Sequence, residues 1–346
     1  MGPIPSFPCI NSSLVSLLDF SYNHHSGHIP SGLGACSKLK FFRAGFNSLS
    51  GPLPNDMYNV TGLEEISLPS NHLSGPISSD IVNLTKLINL ELYRNELGGK
   101  LPVDIGKLSK LKYILLDGNS LRGSLPPTLV NCTNLTKLIL RFNFLEGDIS
   151  TFNFSSLHQL TIIDLGFNNF SGNLPVSLYS YKSLIAIRLA ANRLEGQILS
   201  EVLQLKFLFF LSISNNRLTN ITGTIKILMR CQTLSIVHLG GNFPHEALPS
   251  DDNVSGYDGF QNLRSLSTLS QCQLTGQLPI WLSKLKKLEA LDPGFNRITG
   301  SIPSWLSTLP RLFRLDLSNN LISGEFPKEL CALPALVSNK GSSRQQ

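Results

Sequence analysis

Apolar and polar positions along this chain fall into one recurring frame. An Asn is preceded at eight, five and three places by Leu or another apolar residue. It is followed at two places by a further apolar residue and at four by Gly. Leu135, Leu138, Leu140, Asn143, Leu145 and Gly147 show the frame complete, as do Leu63, Ile66, Leu68, Asn71, Leu73 and Gly75. The Asn stands at 23, 47, 71, 95, 119, 143, 168, 192, 216 and 242; Cys272 takes its place next, then Asn296 and Asn320. Those are thirteen ladder positions, with successive gaps of 24 five times, then 25, 24, 24, 26, 30, 24 and 24. A fixed period of this length marks a stacked-repeat architecture, in which each unit buries its apolar edge only against its neighbours.

The frame also dictates the elements. Leu138 and Leu140 are two apart, so a short strand points both inward and turns the residues between and after them onto a concave face. The Asn side chain can satisfy backbone groups at the buried turn that follows. The Gly suits a turn with positive φ. An apolar-Pro pair then fixes the return path: Ile29-Pro30, Leu53-Pro54, Leu101-Pro102, Leu125-Pro126, Leu174-Pro175, Leu278-Pro279 and Ile302-Pro303. The fold expected is an α/β-type repeat solenoid over residues 1–336, its first repeat partial, with a polar tail at 337–346. Thirteen parallel strands form its concave sheet, and its convex side is irregular or 3-10 helical. Two places break the frame. Leu263, Leu266 and Leu269 do not follow the eight-five-three spacing before Cys272, and Pro293 stands where an inward Leu is expected. Strands there should be the poorest.

Composition narrows the function. The chain has 346 residues, 15% of them charged, with a net charge of +6 and no basic run, which argues against nucleic acid as a partner. The longest apolar stretch, Leu205 to Ile213, is far short of the ~20 residues of a membrane helix. No Gly-rich phosphate loop, kinase signature or His-x-x-x-His pair is present. His24 and His25 flank a turn, and Asp164 and Asp316 stand alone on their strands. No catalytic residue, metal site or cofactor is therefore expected.

The sequon Asn-x-Ser/Thr occurs at Asn11, Asn59, Asn83, Asn131, Asn134, Asn153, Asn169, Asn220 and Asn253, and nine in one chain favour the secretory route. Cys36, Cys132 and Cys231 lie eleven residues before a ladder position, where other repeats have Leu, so all three read as small apolar residues. Cys36 and Cys132 are four repeats apart, roughly 19 Å, too far for a disulfide. Cys272 reads as structural, and no Cys-paired cap is evident at either end. Cys9 and Cys331 are left with partners, if any, in sequence outside this chain. Gly2-Pro3-Ile4-Pro5 read as the back half of a repeat, so the chain is expected to be an internal piece of a longer protein.

Residues six, four, two and one places before each ladder position face outward on the sheet. Tyr93, Arg94, Tyr113, Lys137, Arg141, Phe142, Phe167 and Arg188 form the centre of this strip, flanked by Phe41, Arg43, Phe46, Asp117, Phe210 and His238. Aromatics and Arg dominate binding hot spots, and exposed aromatics on a strand serve no packing purpose. The cations point to an acidic or sulfated ligand.

The repeat LxxLxLxxNxLxGxIP, as at Asn296 to Pro303 and Asn320 to Pro327, resembles the plant-specific leucine-rich repeat of receptor kinases and receptor-like proteins. Asn216 to Gly223 and Leu321 to Leu330 are most similar to the branch holding the tyrosine-sulfated glycopeptide and phytosulfokine receptors. The resemblance implies an extracellular domain at the plasma membrane that binds a secreted peptide, followed by a membrane helix and a cytoplasmic Ser/Thr kinase. A co-receptor kinase with the same repeats is also implied. In that branch a non-repeat island helps hold the peptide; this chain stops about where the island would begin, and it lacks the helix and the kinase. The same repeat also serves secreted inhibitors of microbial wall-degrading enzymes, which should carry Cys-paired caps at both ends, and kinase-less receptor-like proteins in defence.

Overall fold

The structure is a computed structural model that describes residues 2–4, 9, 14–180, 183–254, 256, 259–266 and 271–333. It divides into two compact units, Met1–Ser171 and Gly172–Gln346. The polar tail expected at 337–346 lies outside the described residues.

In the first unit the frame produces seven short strands: β1 (Leu17–Asp19), β2 (Phe41–Arg43), β3 (Glu65–Ser67), β4 (Asn89–Glu91), β5 (Tyr113–Leu115), β6 (Lys137–Ile139) and β7 (Ile162–Asp164). Each pairs in parallel with the next, and equivalent repeat positions face each other, as in Lys137↔Tyr113 and Lys137↔Ile162. The second unit contributes β8 (Ala186–Arg188), β9 (Phe210–Ser212), β10 (Ile236–His238), β11 (Ser265–Leu266), β12 (Ala290–Leu291) and β13 (Arg314–Leu315), again parallel. One strand thus precedes every ladder position, as the frame predicts. A second parallel ladder flanks the first in the first unit, from Ser26–His28 to Phe144–Asp148, running through the apolar-x-Gly part of each repeat. Gly75 and Gly123 on this ladder have φ of 79° and 78°, the left-handed backbone that a side chain disfavours.

The return paths are 3-10 turns such as Asn55–Asn59 and Pro127–Asn131. The exception is α1 (Ile221–Leu228), in the 26-residue repeat, capped by Asn220, whose side chain accepts from the Gly223 amide at 2.9 Å. The inward column is fully buried: Leu138, Leu140, Leu63, Ile66 and Leu68 are all 0% exposed.

The ladder Asn joins the coils. Asn143 Nδ2 donates to Leu140 O in its own coil and to Leu116 O in the preceding one, both at 3.0 Å. Its Oδ1 accepts from the Leu121 amide of that preceding coil at 3.0 Å. Asn71, Asn95, Asn119 and Asn168 repeat the arrangement.

Both irregular places are accommodated. Leu263 and Leu266 stay buried, and Leu266 pairs with Val237, so the strand keeps its register. The spare residue falls after Leu266; Leu269 lies outside the described residues. Pro293 gives up its amide but keeps its carbonyl, which accepts from Asn296 Nδ2 at 3.0 Å and Asn320 Nδ2 at 2.9 Å. β11 and β12 are two residues long, as expected for the poorest strands, and β13 is equally short.

The reading of the cysteines needs one correction. Cys36 is not a reduced apolar filler: it forms a disulfide with Cys9, Cα–Cα 5.0 Å. Twenty-seven residues is about one turn of the coil, so the two lie on neighbouring coils. A Cys-paired turn therefore does exist, at Cys9. Cys132, Cys231 and Cys272 are buried thiols as expected, and burial pushes Cys132 up to about 12 and Cys231 to about 11.

Three substitutions separate the faces. Leu140→Asp buries an unpaired charge and should cost at least about 4 kcal/mol. Asn143→Ala strands buried donors and acceptors in two coils and should cost about 2 kcal/mol. Lys137→Ala, on the open face, should cost under about 1 kcal/mol. Equal shifts in a chemical-denaturation series would contradict this assignment of faces.

Candidate ligand-binding face

The outward side chains come from the strands and from the turn after them. The residue just before each ladder Asn is left-handed: φ is 53° at Arg94, 53° at Phe142 and 55° at Phe167. Ser70, Ala191 and Asn319 share this conformation, so it belongs to the turn. A non-glycine residue there costs roughly 1–2 kcal/mol, and glycine occupies the position in two coils, at Gly118 and Gly241. The backbone would favour Gly or Asn, so an aromatic at this point gains the fold nothing through its conformation.

These aromatics stack in pairs across neighbouring coils. Phe142 and Phe167 have ring centroids 4.3 Å apart, and Tyr22 and Phe46 are 4.4 Å apart. The Arg141 guanidinium lies over the Phe142 ring at 4.4 Å, and Lys137 Nζ lies over Tyr113 at 5.5 Å. Both contacts are cation–π geometry, which holds the cations in place while leaving their N–H groups for a ligand. Phe142 and Phe167 remain 44% and 45% exposed, large for stacked rings with no packing role.

The structure sets carboxylates beside these cations. Asp164, only 2% exposed, sits with Oδ2 3.9 Å from Arg141 and accepts from the Gly166 amide at 3.2 Å. Burial raises the Asp117 carboxyl above its ordinary range, against the pull of Arg141 and Arg94. Burial likewise raises the Tyr93 phenol, with Glu91 adding to it. The cations of this group thus stand among carboxylates of neighbouring coils.

Of the eight strip residues, Tyr93, Arg94, Tyr113, Lys137, Arg141, Phe142 and Phe167 lie in the first unit. Arg188 belongs to the second, where it forms its own group. Its guanidinium lies over Phe210 at 4.7 Å, and Phe210 meets His238 edge-on at 5.3 Å. Burial first, and the Arg188 charge second, hold the His238 imidazole below its ordinary value.

Sequence reasoning overlooked an ionic network at β1–β4. Arg43 binds Glu65 with Nε–Oε1 at 2.5 Å and Nη2–Oε2 at 3.2 Å, and reaches Asp19 at 3.9 Å. Asn89 donates to Glu65 at 3.2 Å, and Ser67 to Glu91 at 2.9 Å. The signal was present, since Asp19, Arg43, Ser67 and Glu91 all stand four places before a ladder Asn. It needed charges to be read down a column and not along the chain.

Among the sequons, Asn59, Asn83, Asn131, Asn134, Asn153, Asn220 and Asn253 are exposed and Asn169 is half-buried; Asn11 lies outside the described residues. Asn134 and Asn220 already use Nδ2, donating to Ser109 O and Gln197 Oε1, both at 2.9 Å.

Comparison with known proteins agrees with the architecture. The Leucine Rich Repeat family pattern matches residues 110–132, 159–181 and 311–333. Receptor-like protein 3 of Arabidopsis thaliana is 52% identical over 150 residues, 43% of this chain and 20% of that protein. Phytosulfokine receptor 1 of Arabidopsis thaliana is 38% identical over 89 residues, 26% of this chain and 8% of that protein. The plant peptide hormone receptor RGFR1, solved in complex with RGF2, superposes with a TM-score of 0.87 at 32% identity. That superposition covers 97% of this chain and 52% of that one. The chain is a leucine-rich-repeat solenoid, and its repeats are similar to those of plant receptors. It spans about half the length of RGFR1, and its match takes in a fifth of receptor-like protein 3.

His238 should make these repeats sensitive to acid. Its folded value lies below the unfolded ~6.5, so the unfolded chain binds the proton first. Its contribution is present above pH ~6.5 and is lost as pH falls through the folded value. Denaturation midpoints between pH 7.5 and 5 should fall less in His238→Gln than in the parent. Parallel curves for the two would show that His238 is not responsible.

Proposed function

We propose that this chain is the ligand-binding part of a plant leucine-rich-repeat receptor, displayed on the extracellular side of the plasma membrane, and that it holds a secreted peptide against the open face of its sheet. The observation that carries this reading is the Arg141–Phe142–Phe167 stack. A cation sits over an exposed aromatic pair on a left-handed turn that the fold would fill more cheaply with Gly. Buried aromatic and Arg anchors are what peptide-binding hot spots are made of. The Cys9–Cys36 disulfide and the sequons suit an oxidising, secretory compartment. The plant peptide hormone receptor RGFR1, 32% identical, was solved with RGF2, and the HAESA ectodomain, 28% identical, with a peptide hormone ligand.

The finer reading is that the peptide is sulfated, its sulfate taken by Arg141 and Lys137 with Arg94 beside them, and that a co-receptor of the same repeat class joins the complex. A sulfate accepts several charge-assisted hydrogen bonds at once, and a guanidinium already oriented by a ring loses little freedom in making them. Asp164 and Asp117 set the selectivity, since a ligand carboxylate or sulfate must reach the cations without meeting these two anions.

A titration with a tyrosine-sulfated peptide and its unsulfated twin tests this. Sulfation should tighten binding about tenfold, as one charge-assisted hydrogen bond of ~1.5 kcal/mol implies. The gain should shrink as salt rises and vanish in Arg141→Ala/Lys137→Ala. Twins that bind alike would remove the sulfate reading. A double variant that binds both peptides as tightly as the parent would remove this strip as the ligand face.

A further inference from the structure

We infer that Asn153 carries an N-linked glycan whose first N-acetylglucosamine packs into an apolar crevice on the flank of the first unit and thereby stabilises the fold. The inference rests on the secretory part of the reading above and not on the peptide.

The crevice arises from a departure in the 25-residue repeat. Where the preceding coil has Leu125-Pro126 and one 3-10 turn, Pro127–Asn131, this coil has Ile149-Ser150 and two separate turns, Ile149–Thr151 and Phe154–Ser156. Asp148 caps the first turn, accepting from the Ser150 amide at 2.8 Å, and Phe152 stands between the two. Between the two turns the coils do not close against each other. A cavity of about 390 Å³ remains, walled by Leu125, Val130, Ile149, Phe152 and Phe170. That volume is in the range of small-ligand sites. An apolar crevice of this size left to water is costly, since its walls gain neither hydrogen bonds nor packing partners.

Asn153 stands on the rim and supplies the occupant. It opens the sequon Asn153-Phe154-Ser155, and its side chain is exposed. Oδ1 accepts from the Ser155 amide at 3.0 Å, which holds the side chain in a fixed turn. Nδ2, the atom that would bear the sugar, makes no hydrogen bond among the described residues. In this respect Asn153 differs from Asn134 and Asn220, whose Nδ2 atoms are engaged. It also differs from Asn59 and Asn83, neither of which lines the crevice. An N-acetylglucosamine suits the walls. Its C–H face and acetyl methyl are apolar, while Ser124 and Glu146 at the rim can meet its hydroxyls. Attachment forms a bond from Nδ2 to the anomeric carbon of a polyprenyl-diphosphate-linked oligosaccharide. The bond from that carbon to the diphosphate breaks, the diphosphate leaves with the electron pair, and one amide proton is lost.

The test is to secrete the full chain from plant cells and map its glycans by mass spectrometry, then compare thermal unfolding. Asn153 should be occupied, and Asn153→Gln should lower the midpoint by roughly 2 °C or more, while Asn59→Gln leaves it unchanged. Trimming every glycan to its single innermost N-acetylglucosamine should keep the stabilisation. In protein made without glycans in an oxidising bacterial periplasm, Asn153→Gln should lower the midpoint by clearly less than in the glycosylated protein, only through loss of the turn's cap, which separates the sugar from the turn. Asn153 found unmodified would overturn the inference. So would an equal response to Asn153→Gln and Asn59→Gln, or stabilisation lost on trimming.

Discussion

The buried Asn at each turn is the interaction on which the rest depends. Packing alone would let a coil slide or tilt on its neighbour, because apolar contacts are not directional. Asn143 removes that freedom: its amide donates to carbonyls of two successive coils and its oxygen accepts from the earlier one. At 6% exposure, none of these groups could fall back on water, so each coil must stand at the spacing that satisfies them. The hydrogen bonds need backbone carbonyls and amides, not particular side chains around them. That is why Pro293 is tolerated, since its carbonyl still accepts from two ladder Asn residues. It is also why Cys272 can take a ladder position: Asn296 Oδ1 accepts from the amides of both Cys272 and Leu274.

The same constraint shapes the open face. Satisfying the Asn requires a sharp turn, and the residue before it becomes left-handed whatever its identity. Side chains at that position in successive coils then lie one above the next, close enough for Phe142 to stack on Phe167 and Tyr22 on Phe46. The surface inherits its regularity from the core. Electrostatics follow the stacking too: Arg43 with Glu65 and Arg141 with Asp164 are meetings between neighbouring coils.

Parts of this were legible in the chain before folding. The period, the inward apolar column, the ladder Asn and the Gly of the flank all follow from local rules: strand alternation, hydrogen-bond demand and positive φ. The aromatic and basic character of the open face was legible too, because alternation says which residues point outward. Its ionic balance was not. Asp164 is 23 residues from Arg141 and Glu65 is 22 from Arg43, and only stacking brings them within reach.

The cysteines show the same division. Column position alone placed Cys36 among the apolar residues, and for Cys132 and Cys231 that reading holds. The partner of Cys36 depends on how one coil lies on the next, which no local rule specifies. The crevice beside Asn153 arises likewise: the extra residue of this repeat is visible in the sequence, but the space exists only once Leu125 and Val130 face Ile149 and Phe152. The amino-acid sequence by itself determined the repeat, its strands and the residue types on each face, because these follow from the alternation of a single strand and the needs of a single turn. The tertiary structure alone decided which charges neutralise each other, which cysteines join and where a cavity opens, because those depend on contacts between coils a full turn apart.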